Sequence, residues 1–200
     1  MKRNRTFLMC IVLVAMLTCQ CRSVGTKQSI HLFNGRDLTG WRQTGHAAWI
    51  VRDGILIGSQ DAQGRPGDLL TEGEYGDFRL TVVFKMVFPG NSGIWFRKPA
   101  GELGYQMDIL EGHPESMTGG IWSGTFLSRN KDDSIFNRDG WNEVEICATG
   151  NRIRVTLNGT KVADITEDKY SRGAIGFQVH AGDEFRNMKI MVKEVTITPL

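Results

Sequence analysis

Between Asn91 and His113 the chain reads NSGIWFRKPAGELGYQMDILEGH, two runs that alternate apolar and polar side chains around a Pro/Gly-containing link. The polar positions hold Asn91, Ser92, Trp95, Arg97, Gln106, Asp108, Glu111 and His113. Amides suit the hydroxyls of a polar ligand, an indole offers an apolar face, and carboxyl and imidazole groups move protons. Strand alternation sorts these residues by face. Ile94 and Phe96 turn toward a core, which leaves Trp95 and Arg97 on the other side. Gln106 and Asp108 share a face, with Met107 and Ile109 behind them. Further on, Gln178 and His180 stand opposite Ile175, Phe177 and Val179. If those faces coincide, three strands build one polar floor. Asp is depleted from strand interiors, which singles out Asp108. Arg97 and His180 each also have an ordinary reading, as a solvated charge and a packed ring, and Glu111 with His113 could simply open a turn before Pro114.

No phosphate-cradling Gly-rich loop, HExxH, GxSxG or Cys nucleophile occurs. A mononuclear oxygen/nitrogen metal site from Asp108, Glu111, His113 and His180 is conceivable, but no spacing enforces it. No metal or other cofactor is therefore expected.

The elements that must position these residues are strands. Phe78, Leu80, Val82, Phe84 and Met86 alternate with polar residues between Asp77 and Met86. Residues 152–165 read as a hairpin turning at Asn158-Gly159, the pair best suited to a type I′ turn. Residues 188–198 give a last strand rich in β-branched side chains. Leu32-Phe33 and the segments 49–57, 94–96, 105–110 and 142–148 complete the set. No capped amphipathic run of helical period appears, and 24 Gly punctuate the chain. The expectation is an antiparallel all-β sandwich, with a closed barrel as the competing arrangement. Residues 111–140 read as one long irregular stretch, of the kind that forms binding loops. Within it Trp122 is the aromatic expected at the pocket, while Phe126 and Phe136 are expected to pack the loop down.

The first 21 residues read as a signal peptide: Lys2, Arg3 and Arg5 precede a short apolar run over 7–17. Met16-Leu17-Thr18-Cys19 resembles a lipoprotein processing site with Cys19 as the lipidated residue; processing at Cys21, or ordinary cleavage after Ser23, is the alternative. Residues 22–30 are a tether and 31–200 one domain. Without the leader, 24 basic against 22 acidic residues become 21 against 22, so the net charge passes from +2 to −1. That balance leaves no basic excess for nucleic acid. Cys147 is the one cysteine left beyond Cys21, so no disulfide framework is expected. The location expected is periplasm or outer membrane, with membrane contact only through the lipid.

The order of motifs resembles the bacterial 3-keto-disaccharide hydrolase family. Residues 31–41, HLFNGRDLTGW, look like its opening, and the rest follows in sequence. Trp49 comes with Asp53-Gly54, Asp68-Leu69-Leu70-Thr71 with Tyr75 and Phe78, and Asn91-Ser92-Gly93-Ile94 with Arg97. Glu111-Gly112-His113-Pro114, Thr118-Gly119, Gly140-Trp141-Asn142, Leu157-Asn158-Gly159, Gly176-Phe177-Gln178 with His180, and Phe185-Arg186-Asn187 complete it. The resemblance implies a concanavalin-A-like jelly roll whose concave sheet carries the ligand, and cleavage of glycosides oxidised at C3, by hydrolysis or by elimination and hydration. One strand departs from the pattern. Tyr-Glu-x-Gln-Ile is usual, and Tyr105-Gln106-Met107-Asp108-Ile109 stands here, which moves the carboxylate about 6.5–7 Å along the same face. On this reading Asp108 is the base, Arg97 stabilises enolate charge, and His180 or Glu111 is the acid. Asn91, Gln106, His113 and Gln178 hold the sugar, and Trp95 or Trp122 offers a ring face. The alternatives are a non-catalytic, lectin-like carbohydrate-binding module and a surface domain that presents the 111–140 segment to a protein.

Overall fold

The computed structural model describes residues 27–200. The signal-peptide, lipidation and cleavage assignments fall on residues outside that range. In chain order the strands are β1 (Ile30–His31), β2 (Trp41–Gly45), β3 (Ala48–Arg52), β4 (Ile55–Ser59), β5 (Gly67–Thr71), β6 (Phe78–Val87), β7 (Asn91–Lys98) and β8 (Tyr105–Leu110). They continue with β9 (Met117–Trp122), β10 (Phe126–Asn130), β11 (Asn142–Thr149), β12 (Arg152–Leu157), β13 (Thr160–Thr166), β14 (Ala174–Val179) and β15 (Lys189–Pro199). Two single-turn 3-10 segments, Asp133–Ile135 and Asp183–Phe185, are the helical pieces among the described residues.

Two antiparallel sheets result. One runs β13-β12-β11-β6-β15-β4-β3, with β1 added to β15; the other runs β10-β9-β8-β7-β14-β5-β2. The architecture is the β-sandwich that alternation and turn chemistry predict, and β1 begins at Ile30, paired with Ile197. The alternating residues of β6 form the centre: Phe78, Leu80, Val82, Phe84 and Met86 are each at most 2% exposed. They share one apolar cluster with Ile94, Phe96, Met107, Ile109 and Phe177 of the second sheet. Apolar burial of this extent is the dominant stabilising term. At the predicted hairpin, Asn158 and Gly159 both take positive φ, 48° and 80°, as a type I′ turn requires.

Residues 111–140 are not irregular. They hold β9 and β10, which extend the second sheet past β8 through Gln106↔Trp122 and Met107↔Ile121. Gly119 and Gly120 supply no side chains, so alternation cannot show there. The pairing is carried instead by long-range bonds. Thr118 Oγ1 accepts from Leu110 N and donates to Leu110 O, and Asn130 Nδ2 donates to Thr118 O at 2.7 Å.

Candidate functional site

Sheet register lines up two rows on the outer face of the seven-stranded sheet. One passes from Thr44 through Asp68, Gln178 and Gly93 to Asp108. The next passes from Arg42 through Leu70, Gly176, Trp95 and Gln106 to Trp122. At one end of these rows is a cavity of about 200 Å³ lined by Asn91, Gln106, Asp108, His113, Trp122, Gln178 and His180, with Leu110 and Phe126. That is the space of about seven water molecules. Gly93 keeps the floor open between Gln178 and Asp108. A Cβ there would lie 2.4–2.6 Å from the Gln106 side chain, which occupies that space.

Asp108 is 5% exposed, and its carboxyl makes no hydrogen bond with the described residues. Desolvation alone pushes it up to about 7, so the group is poised to gain or lose a proton near neutrality. Beside it, Gln106 Nε2 is a buried donor without a partner. A buried amide N–H left unsatisfied is costly, and a bound hydroxyl or carbonyl oxygen would satisfy it.

The two imidazoles are set differently. His180 Nδ1 lies 2.6 Å from the Ala181 carbonyl oxygen, so Nδ1 carries the hydrogen and Nε2 is left to exchange a proton. His113 Nδ1 accepts from Glu115 N at 3.1 Å, so the neutral ring carries its hydrogen on Nε2 and is a donor there. The His180 backbone is itself fixed, because Gln60 Nε2 donates to His180 O and Gly182 O, both at 2.9 Å. Phe126, expected only to pack its loop, borders the cavity edge-on to His113, whereas Phe136 packs against Phe84 and Phe88.

Three residues expected at the site, Arg97, Glu111 and Trp95, are placed elsewhere, as is their neighbour Ser92. Arg97 is 1% exposed and turned away from the cavity. Three steps on β7, from Trp95 to Lys98, oppose two on β14, and Arg97 is the extra residue, at φ 46°. This bulge breaks the alternation. The guanidinium bonds Gly76 O, Gly150 O, Tyr170 O and Asp77 Oδ1, tying the two sheets together. Glu111 follows the end of β8 and is ion-paired to Arg138, outside the cavity lining. Ser92 points to the core and donates to Gln178 O. Trp95 does face outward, but it forms a small cluster with Leu70 and Ala174, packs edge-on against Trp122, and donates its Nε1 to Asp68. Among the described residues, no group of three or more His, Cys, Asp or Glu converges as a metal site would.

The motif order, the sandwich and the site face can now be set beside known proteins. The family model for the 3-keto-alpha-glucoside-1,2-lyase-like domain matches residues 28–191. The chain belongs to that family. No curated protein matches the chain. Among solved structures, it is similar to a candidate glycosyl hydrolase from Parabacteroides distasonis ATCC 8503, with 22% identity over 86% of this chain and 100% of that one and a TM-score of 0.68. It is also similar to a carbohydrate binding module, CBM66, from Bacillus subtilis (17% identity, 80% and 95% covered, TM-score 0.62). A Bacillus subtilis protein of galectin-like fold follows at 13% identity, 86% and 94% covered, TM-score 0.67. At these identities the shared property is the fold, and fold alone does not separate enzymes from binding modules.

Proposed function

We propose that this lyase-like domain cleaves the glycosidic bond of sugars oxidised at C3, with Asp108 as the base. A 3-keto group acidifies the C2 proton, because the carbanion formed is an enolate. Asp108 takes that proton, the electron pair moves into the C2–C3 enolate, and its return expels the C1 oxygen substituent. His180, in its imidazolium form with Nδ1–H held by the Ala181 carbonyl, gives its Nε2 proton to that oxygen, leaving an unsaturated keto sugar that water can add to. The enolate oxygen needs donors, and with Arg97 remote, Gln106 Nε2 and His113 Nε2 are the groups available. Asn91 and Gln178 hold hydroxyls, and Trp122 offers a ring face.

One observation carries this reading: a single desolvated carboxyl with no hydrogen-bond partner, held near pKa 7 inside a cavity of amides and imidazoles. Ordinary glycosidases use two carboxyl groups about 5–9.5 Å apart. The other acid in the row, Asp68, is three strand spacings from Asp108, or roughly 14 Å along the sheet. Elimination from a 3-keto sugar needs only one. A binding module would have no use for an unpaired buried acid, whose desolvation works against folding. The reading places the domain outside the cytoplasm, carried there by residues 1–21 and anchored by lipid at Cys19.

The test is turnover of a 3-keto-glucoside by Asp108→Asn. General base catalysis is worth about 10²–10⁴-fold, so kcat falls at least 100-fold while binding of the unoxidised glycoside persists. Near-normal turnover would remove Asp108 from the chemistry. Sugar binding with no turnover by the parent chain would favour the binding module.

A further inference from the structure

The same sheet face carries a second cavity, of about 560 Å³, beyond the tryptophan pair. Arg42 on β2 and Lys98 on β7 both line it. Only Leu70, Gly176 and Ala174 stand between them on the intervening strands, so nothing charged separates the two cations in the sheet. Among the described residues neither cation has a carboxylate oxygen within ion-pair distance. Lys98 is on this face because of the bulge at Arg97. Its Nζ is held by the Glu102 and Leu103 carbonyls, at 2.8 and 3.3 Å, and stands 4.4 Å above the Trp95 ring.

Two carboxyl groups share the wall, neither within ion-pair distance of Arg42 or Lys98. Glu102 is exposed and holds Lys98 through its backbone. Asp68 accepts from Trp95 Nε1 at 3.1 Å, and burial pushes its pKa up, which weakens its competition for the cations. Burial pushes Lys98 down, against the opposing pull of the Asp68 carboxylate and with a smaller push from the Arg42 charge. Trp122 lines the Asp108 cavity and meets Trp95 edge-on, with centroids 6.3 Å apart. A continuous aromatic track therefore leads from the acid–base groups to the paired cations.

We propose that this second cavity holds the part of the glycoside beyond the cleaved bond and selects a carboxylate there, as on a uronic acid or an aromatic acid, through Arg42 and Lys98. Arg presents a planar fork that matches a carboxylate, and Lys adds a point charge. Which end of the substrate lies here rests on the proposed cleavage at Asp108; the preference for an anion does not.

The experiment compares two 3-keto-glucosides that differ only in their aglycone, a carboxylic acid and its primary amide. A charge-assisted contact of about 1.5 kcal/mol or more corresponds to at least a tenfold ratio of kcat/KM in favour of the acid. Raising the salt narrows that ratio. In Arg42→Gln and in Lys98→Met it falls toward one, and being measured within each variant it is insensitive to the folded fraction. A ratio near one in the parent chain, or one that both substitutions leave intact, overturns the proposal. Tryptophan-fluorescence titration with the unoxidised acid and amide separates the two readings. Tighter binding of the acid that Arg42→Gln abolishes, with neither keto-glycoside cleaved, upholds this subsite and removes the cleavage. Equal binding of acid and amide by the parent chain overturns the subsite.

Discussion

At the scale of single residues, the role proposed for Asp108 ties catalysis to stability with opposite signs. Its folded-state pKa of about 7 lies above the ordinary Asp value of about 3.9. Between those values the folded chain binds the extra proton, so this carboxyl's contribution is most favourable below pH 4 and is lost as pH rises toward 7. The loss is about 4 kcal/mol at most, from three pK units at 1.36 kcal/mol each. As a base, the same group works only when ionised. The expected kcat/KM profile therefore rises through an apparent pKa near 7 while urea unfolding shows the protein losing stability over the same interval. Asp108→Asn abolishes the stability slope: the variant matches the parent near pH 4 and is more stable than it at pH 8. A profile with no rising limb near pH 7 would remove Asp108 as the base. Its candidacy was legible because an Asp inside a well-patterned strand is unusual. The proton assignments of His113 and His180 were not, since each depends on a backbone group, Glu115 N or the Ala181 carbonyl, that no side-chain pattern reveals.

At the scale of elements, alternation placed Gln106 with Asp108 and Gln178 on one face, and β7, β8 and β14 are indeed neighbours. It failed at Arg97, where one extra residue at positive φ sends the guanidinium inward and Lys98 outward. A bulge is a property of two paired strands, so neither strand alone announces it. The same limit hid Asp68 and Arg42, whose neighbours on the face come from strands far away in sequence. Arg97→Met tests the consequence. It leaves three carbonyls and Asp77 without a partner that is itself 1% exposed. Because the Asp77 side chain is 42% exposed and can be rehydrated, the expected cost is about 3 kcal/mol rather than that of a fully buried pair. For a domain of this size that lowers the melting temperature by roughly 6–12 °C. Below the transition the apparent pKa of activity and KM stay those of the parent. A tenfold fall in kcat with an unchanged melting temperature would return Arg97 to the chemistry.

At the scale of the whole chain, the proposed catalytic and anchoring functions fall on separate segments. The described domain closes on its own core: its lone cysteine, Cys147, is buried and free, so no disulfide holds the sandwich together. The basic excess lies in residues 1–21, and the rest is close to neutral, which removes charge as a reason for this domain to bind a membrane surface. In the proposed lipoprotein reading, attachment depends on a processed Cys19. A single acyl chain binds a bilayer only marginally, whereas the multiply acylated terminus of a lipoprotein holds firmly. The chain expressed in a bacterium is accordingly expected in the membrane fraction and labelled by a fatty acid. Cys19→Ser loses the label and moves the protein to the soluble fraction, with kcat/KM on a 3-keto-glucoside within about twofold of the parent, because the site's two cavities are lined by residues 42–180. Retained label in Cys19→Ser together with its loss in Cys21→Ser would move the anchor two residues along. An unlabelled, soluble parent chain would replace the anchor with ordinary signal cleavage and leave the assignment of Asp108 untouched.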